Sequence, residues 1–151
     1  MKMKYRSFVF AGILACAAVG TNANAQQFYD NWNTDACGFT DRAGFDLHHH
    51  MRLTAIELWY RWGHHESEVR YELYQDGELI KRGHLMRASC DPYQESWCGA
   101  RGEIGIDLPR GHVEVRTERA KVCQNDGSRG EGFIHAYGMR DHGMHDEAMP
   151  D

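Results

Sequence analysis

The stretch YELYQDGELIKRG, residues 71–83, decides the fold class. With Val69 just before it, Tyr71 and Leu73 alternate with Arg70, Glu72 and Tyr74. That period of two is the signature of a strand with one covered face. A second run, ELIKRGHLM (residues 78–86), follows after only Asp76 and Gly77. Asp-Gly between two such runs predicts a β-hairpin, because a type I′ turn requires positive φ at both central residues. A two-residue loop would set Leu73 opposite Ile80, an apolar pair, and Glu72 opposite Lys81, an ion pair.

On either side the same grammar repeats. LHHHMRLTAIELWYRW (Leu47–Trp62) is dense in aromatic and branched residues and predicts one long strand with both faces partly covered. EIGIDL (Glu103–Leu108) places Ile104, Ile106 and Leu108 on one face. Pro109-Arg110-Gly111 is a turn with proline where its fixed φ fits, and HVEVRTERAKV (His112–Val122) returns with Val113, Val115 and Thr117 inward. GFIHAYG (Gly132–Gly138) is a last strand, and residues 26–40 are expected along one edge, held by Cys37. There is no amphipathic helical period and no internal repeat. Six or more short strands between Gly- and Asp-rich turns predict an all-β fold, an antiparallel β-sandwich or jelly roll.

The amino-terminal segment sets the compartment. MKMKYR is short and basic, SFVFAGILACAAVG is apolar, and Ala23-Asn24-Ala25 is a small-x-small cleavage site. This order reads as a signal peptide over residues 1–25, removed near Ala25, so the chain is expected to be secreted or periplasmic. Lipid attachment at Cys16 is the weaker alternative, since Leu14 is unusual there. The apolar run is too short for a comfortable membrane span, and no other segment qualifies. Cleavage leaves 126 residues, enough for one domain, and loss of Lys2, Lys4 and Arg6 moves the formal charge from −5 to −8. So acidic a chain argues against nucleic acid or anionic lipid as partner. A monomer is expected. Residues 26–138 form the predicted domain, and 139–151 (MRDHGMHDEAMPD), polar and aperiodic, a flexible tail.

Export also settles how the cysteines are read. Four remain after cleavage: Cys37, Cys90, Cys98 and Cys123. An even count in a small exported domain is a disulfide framework, and four cysteines allow three pairings. The expected set is Cys90–Cys98, a local closure, and Cys37–Cys123, a tie between the ends of the domain. The seven residues between Cys90 and Cys98 do not match the usual zinc spacing.

The pattern resembles secreted bacterial β-sandwich modules of the galactose-binding-like, carbohydrate-binding type. The features that carry the resemblance are YELYQDGELIKRG, the paired strands of IDLPRGHVEV, and the closing loop and strand CQNDGSRGEGFIHAYG, all within Leu53–Gly138. The resemblance implies ligand binding without catalysis. No carboxylate cluster matches such a family's calcium site.

Three groups of residues are candidate sites. The first is SCDPYQESWCGA (residues 89–100), read as a crossover loop between two strands. Tyr93 and Trp97 offer flat apolar faces for stacking on a sugar ring or filling a partner's pocket, and Asp91 and Glu95 can accept hydrogen bonds from hydroxyls. Asn125 and Asp126, in QNDGSRGE (residues 124–131), are candidate ligand contacts, and that loop's oxygens would also suit calcium. Trp62 is a further candidate. The second group is metal-binding: His48 and His50 share a strand face with His49 opposite, and His48, His50, His64 or His65 could converge with His84 or His112 from neighbouring strands on zinc or copper. The third is His142, Met144 and His145 in the tail, where imidazole and thioether together suit copper.

No catalytic motif stands out. None of Ser67, Ser89, Ser96 and Ser128 sits in a G-x-S-x-G elbow, and His65-Glu66 lacks the second histidine of H-E-x-x-H, since Val69 occupies that position. The reading is a non-catalytic binding protein for a carbohydrate or glycan. The alternatives are a periplasmic copper or zinc protein and a module that binds or inhibits another protein.

Overall fold

The computed structural model describes residues 25–140. Residues 1–24 of the predicted signal peptide and the His142, Met144 and His145 group lie outside them. Ten strands follow in chain order: β1 Gln26–Asp30, β2 Gly38–Thr40, β3 Arg42–Leu47, β4 Met51–Arg61, β5 Glu68–Gln75, β6 Glu78–Asp91, β7 Gln94–Leu108, β8 Gly111–Thr117, β9 Val122–Gln124 and β10 Ile134–Arg140. All pairings are antiparallel, in the order β1-β10-β4-β7-β6-β5-β8-β3, with β9 bridging β2 to β4. The sheet is continuous and curls back on itself, part way between a sandwich and a barrel. Its two edge strands meet through side chains: Phe45 of β3 lies 5.7 Å from Phe28 and 5.4 Å from Tyr29 of β1, centroid to centroid.

The predicted hairpin is present. Asp76 (φ 49°) and Gly77 (φ 82°) carry the two positive φ values. The expected register, however, ends after Tyr74↔Leu79. A bulge at Ile80 puts Leu73 opposite Lys81 and Glu72 opposite Arg82. The shift has a reason. Arg82 meets Glu72 at 2.9 Å, and Lys81 Nζ reaches across to donate to Ile104 O of β7 at 2.8 Å. That carbonyl lies where β7 has parted from β6, because only residues 86–91 of β6 pair with β7 while residues 78–86 pair with β5.

A second bulge shapes β4. Thr54 is an extra residue in its pairing with β10, between Ala55↔Tyr137 and Leu53↔Gly138. One extra residue inverts the alternation. Leu53 and Met51 therefore face the core before it, and Ile56, Leu58 and Tyr60 after it. With Val69, Tyr71, Leu73, Leu85, Val113, Val115 and Ile134 they form the core between the two halves of the sheet. The odd positions Glu57, Trp59 and Arg61 point outward.

Three sequence expectations change. Residues 89–100 are not a crossover loop: β6 and β7 run directly into one another through a tight turn at Pro92-Tyr93, with Asp91 opposite Gln94 and Cys90 opposite Cys98. Proline at the second turn position and a cross-strand disulfide favour that hairpin. Residues 48–50 form a bend between β3 and β4 rather than the start of a strand, so the alternation inferred for His48 and His50 does not apply. Trp62 is only 4 % exposed, with Nε1 donating to Cys98 O at 3.3 Å, and belongs to the core.

Both disulfides pair as expected. Cys37–Cys123 closes a separation of 86 residues and ties the segment before β2 to β9. Cys90–Cys98 crosses from β6 to β7. No helix among the described residues is long and apolar enough to cross a membrane.

Candidate functional site: an aromatic groove on the outer sheet face

Outward-facing positions on β4, β7, β10 and β2 bring together rings far apart in sequence. Phe39 and Trp97 are nearly parallel, with centroids 5.8 Å apart and planes 6° apart. Trp97 and Trp59 follow at 6.3 Å and 14°. Trp59 meets Trp32 at 5.1 Å, tilted by 50°, and Trp32 stacks on His135 at 3.8 Å. Cations cover both ends of this file, Arg61 over Phe39 at 5.7 Å and Arg101 over Tyr137, the ring beside His135, at 4.6 Å. Gly99 lies directly opposite Trp59, and the Glu57 carboxylate occupies the space that a side chain there would need.

A groove of about 880 Å³ opens over the Phe39–Trp97–Trp59–Trp32 part of the file. Residues 32–37 make one wall and the β6–β7 hairpin tip the other, with Asp35 and Asp91 among the residues that line it. Tyr93 stands at the tip, 93 % exposed, and Phe39 is 46 % exposed. The tip is shaped by Asp91, whose Oδ1 accepts from Tyr93 N at 2.8 Å.

The first wall is held from behind. Asn33 and Asn125 exchange side-chain hydrogen bonds at 2.9 and 2.7 Å, and Asn33 Oδ1 accepts from Asp35 N at 3.1 Å. Asn31 bonds Gly132 O and Ile134 N at 3.0 and 2.8 Å. Asp30 Oδ1 accepts from Trp32 N at 2.8 Å and lies 3.1 Å from His135 Nε2, fixing the ring on which Trp32 stacks. Cys37–Cys123 anchors the far end.

Of the residues singled out from sequence, Asp91, Tyr93 and Trp97 line this groove together. Glu95 does not; its carbonyl accepts from Arg87 at 2.6 Å. Asn125 sits behind the wall, where its amide is used on Asn33 and on Ser128 N. Asp126 is exposed in the following turn. Sequence reasoning missed Trp32, Phe39 and Trp59. The available signal was Trp59 lying between the inward-facing Leu58 and Tyr60, which assigns it to the outer face.

Among the described residues, no group of three or more His, Cys, Asp or Glu side chains is placed to hold an ion. His48, His49 and His112 border a separate groove of about 690 Å³ at the seam between β1 and β3, where His112 Nδ1 meets Asp46 Oδ1 at 2.7 Å. His64 and His65 are exposed and contact each other edge-on at 5.1 Å. His50 is exposed at the bend before β4. The QNDGSRGE loop is knit internally, with Ser128 Oγ bonded to Asn125 N, Asn125 O and Glu131 O.

The opposite outer face, on β5, β6 and β8, is built differently. Arg70, Arg82 and Arg116 each pair with a glutamate, Glu118, Glu72 and Glu114 respectively. One outer face is therefore a lattice of ion pairs and the other a file of rings. Searches against family models and curated proteins find no match to this chain.

Proposed function

We propose that this chain is an exported, non-catalytic binding protein that recognises carbohydrate through the aromatic groove. The observation that carries the reading is the outward file of Phe39, Trp97, Trp59 and Trp32 beside Asp35 and Asp91. Half-buried indole faces match the C–H faces of a sugar ring, and nearby carboxylates accept hydrogen bonds from hydroxyls. A disulfide at each wall limits the conformational entropy lost on binding. The two disulfides are also what an oxidising compartment favours, which supports export.

The test is a glycan array probed with residues 26–151, followed by calorimetry on the best hit. Binding that falls at least tenfold in both Trp59→Ala and Trp97→Ala supports the reading. An empty array, or affinity unchanged in both variants, refutes it.

A further inference from the structure

The two disulfides differ in a way that gives one of them chemistry. In the Cys37–Cys123 bridge, Cys123 is fully buried within β9 and Cys37 is half-buried at the groove wall. In the other, Cys98 is fully buried in β7, but its partner Cys90 is exposed on β6. Attack by a thiolate on a disulfide needs access to one sulfur and a good leaving group in the other. Cys90 is the most exposed of the four bonded cysteines, ahead of the half-buried Cys37.

The leaving sulfur is also provided for. Arg87 Nε–H points at Cys98 Sγ at 3.2 Å, and the same guanidinium is steadied by donating to Glu95 O at 2.6 Å. Arg87 is held from its backbone as well, its N–H donating to Ser67 O at 2.9 Å. A fixed guanidinium beside a cysteine sulfur favours its thiolate form. A lower thiol pKa on the leaving side speeds exchange.

We propose that Cys90 is a site of covalent thiol exchange, at which an external thiolate forms a mixed disulfide while Cys98 departs as a thiolate held by Arg87. In the first step the bond from the incoming sulfur to Cys90 Sγ forms and the Cys90–Cys98 bond breaks, and its electron pair stays on Cys98. No net oxidation occurs in that step. With a dithiol as attacking group, its second thiolate then displaces Cys90, leaving both cysteines reduced and the dithiol oxidised. The exchange loosens the hairpin tip that carries Asp91 and Tyr93. It does not depend on what the groove binds.

The experiment treats the folded protein, residues 26–151, with reduced glutathione, quenches in acid, alkylates free thiols and maps the peptides by mass spectrometry. A parallel arm uses dithiothreitol to follow the two-step reduction. Glutathione is expected on Cys90 and the alkyl label on Cys98. Cys37–Cys123 should react more slowly, because Cys37 is half-buried and Cys123 fully buried. Arg87→Gln should slow exchange about 3- to 10-fold, with partial recovery in Arg87→Lys. Circular dichroism confirms that each variant is folded, and in concentrated urea the difference between variants should vanish. Glutathione on Cys98, equal rates for the two bridges, or wild-type exchange in a folded Arg87→Gln each overturns the proposal.

Discussion

Replacing Trp97 by alanine separates a groove floor from a core plug. Its indole stacks on Phe39 at 5.8 Å and on Trp59 at 6.3 Å, on the outer face of the sheet. Each aromatic pair is worth about 0.5–1.5 kcal/mol, so losing two should cost about 1–3 kcal/mol. Trp62, 4 % exposed and part of the core, provides the contrast. Truncating a buried tryptophan costs about 3–5 kcal/mol because a cavity is left as well. Urea unfolding followed by far-UV circular dichroism, with the disulfides intact, measures both variants on one scale. Trp97→Ala should keep the wild-type m-value and lie well above Trp62→Ala in midpoint. A double-mutant cycle with Phe39→Ala should return a coupling of about 0.5–1.5 kcal/mol. Equal destabilisation by Trp97→Ala and Trp62→Ala would refute the assignment of Trp97 to the outer face.

Three further outcomes are expected. Glu66 is desolvated, which raises its pKa, but hydrogen bonds from Gly63 N, Lys121 and Tyr60 outweigh that and hold it below the usual carboxylate value. Its contribution is therefore complete above about pH 4.5 and lost as pH falls through the depressed value, so Glu66→Gln should cost about 1–3 kcal/mol at neutral pH and flatten the acid limb of a stability–pH curve. Paired Cys37→Ser and Cys123→Ser substitutions release a separation of 86 residues and should lower unfolding free energy by about 4–5 kcal/mol in chemical denaturation. Asn125→Ala leaves Asn33 without its side-chain partner behind the groove wall; it should cost about 1–2 kcal/mol in thermal unfolding and raise amide hydrogen exchange in residues 31–37, while exchange in β5 and β8 stays unchanged.

Much of the fold was legible because its determinants are local. The hairpin around Asp76-Gly77 is written in two residues that accept positive φ, and the inward set Val113, Val115 and Thr117 follows from simple alternation. The register was not legible, because the Ile80 bulge answers to Ile104, a residue on another strand. The candidate site was legible only in its β6–β7 part. Tyr93, Asp91 and Trp97 stand out as aromatic and acidic residues between two cysteines. Trp32 and Phe39 sit in segments with no period to orient them, and Trp62 looks as available as Trp59 until their directions are known.

By itself, the sequence determined the class of strand-and-turn structure and the expectation of bonded cysteines. Those depend on backbone preferences of neighbouring residues and on an even number of cysteines outside the leading segment. Only the tertiary structure decided which rings share a surface. The inserted residue at Thr54 inverts the alternation of β4, sending Ile56, Leu58 and Tyr60 inward and Trp59 outward. Pairing of β4 with β7 then sets Trp59 opposite Gly99 and Arg61 opposite Trp97. A bulge is specified by the fit of one strand against its neighbours, so no window along the chain contains it. The groove follows from that fit.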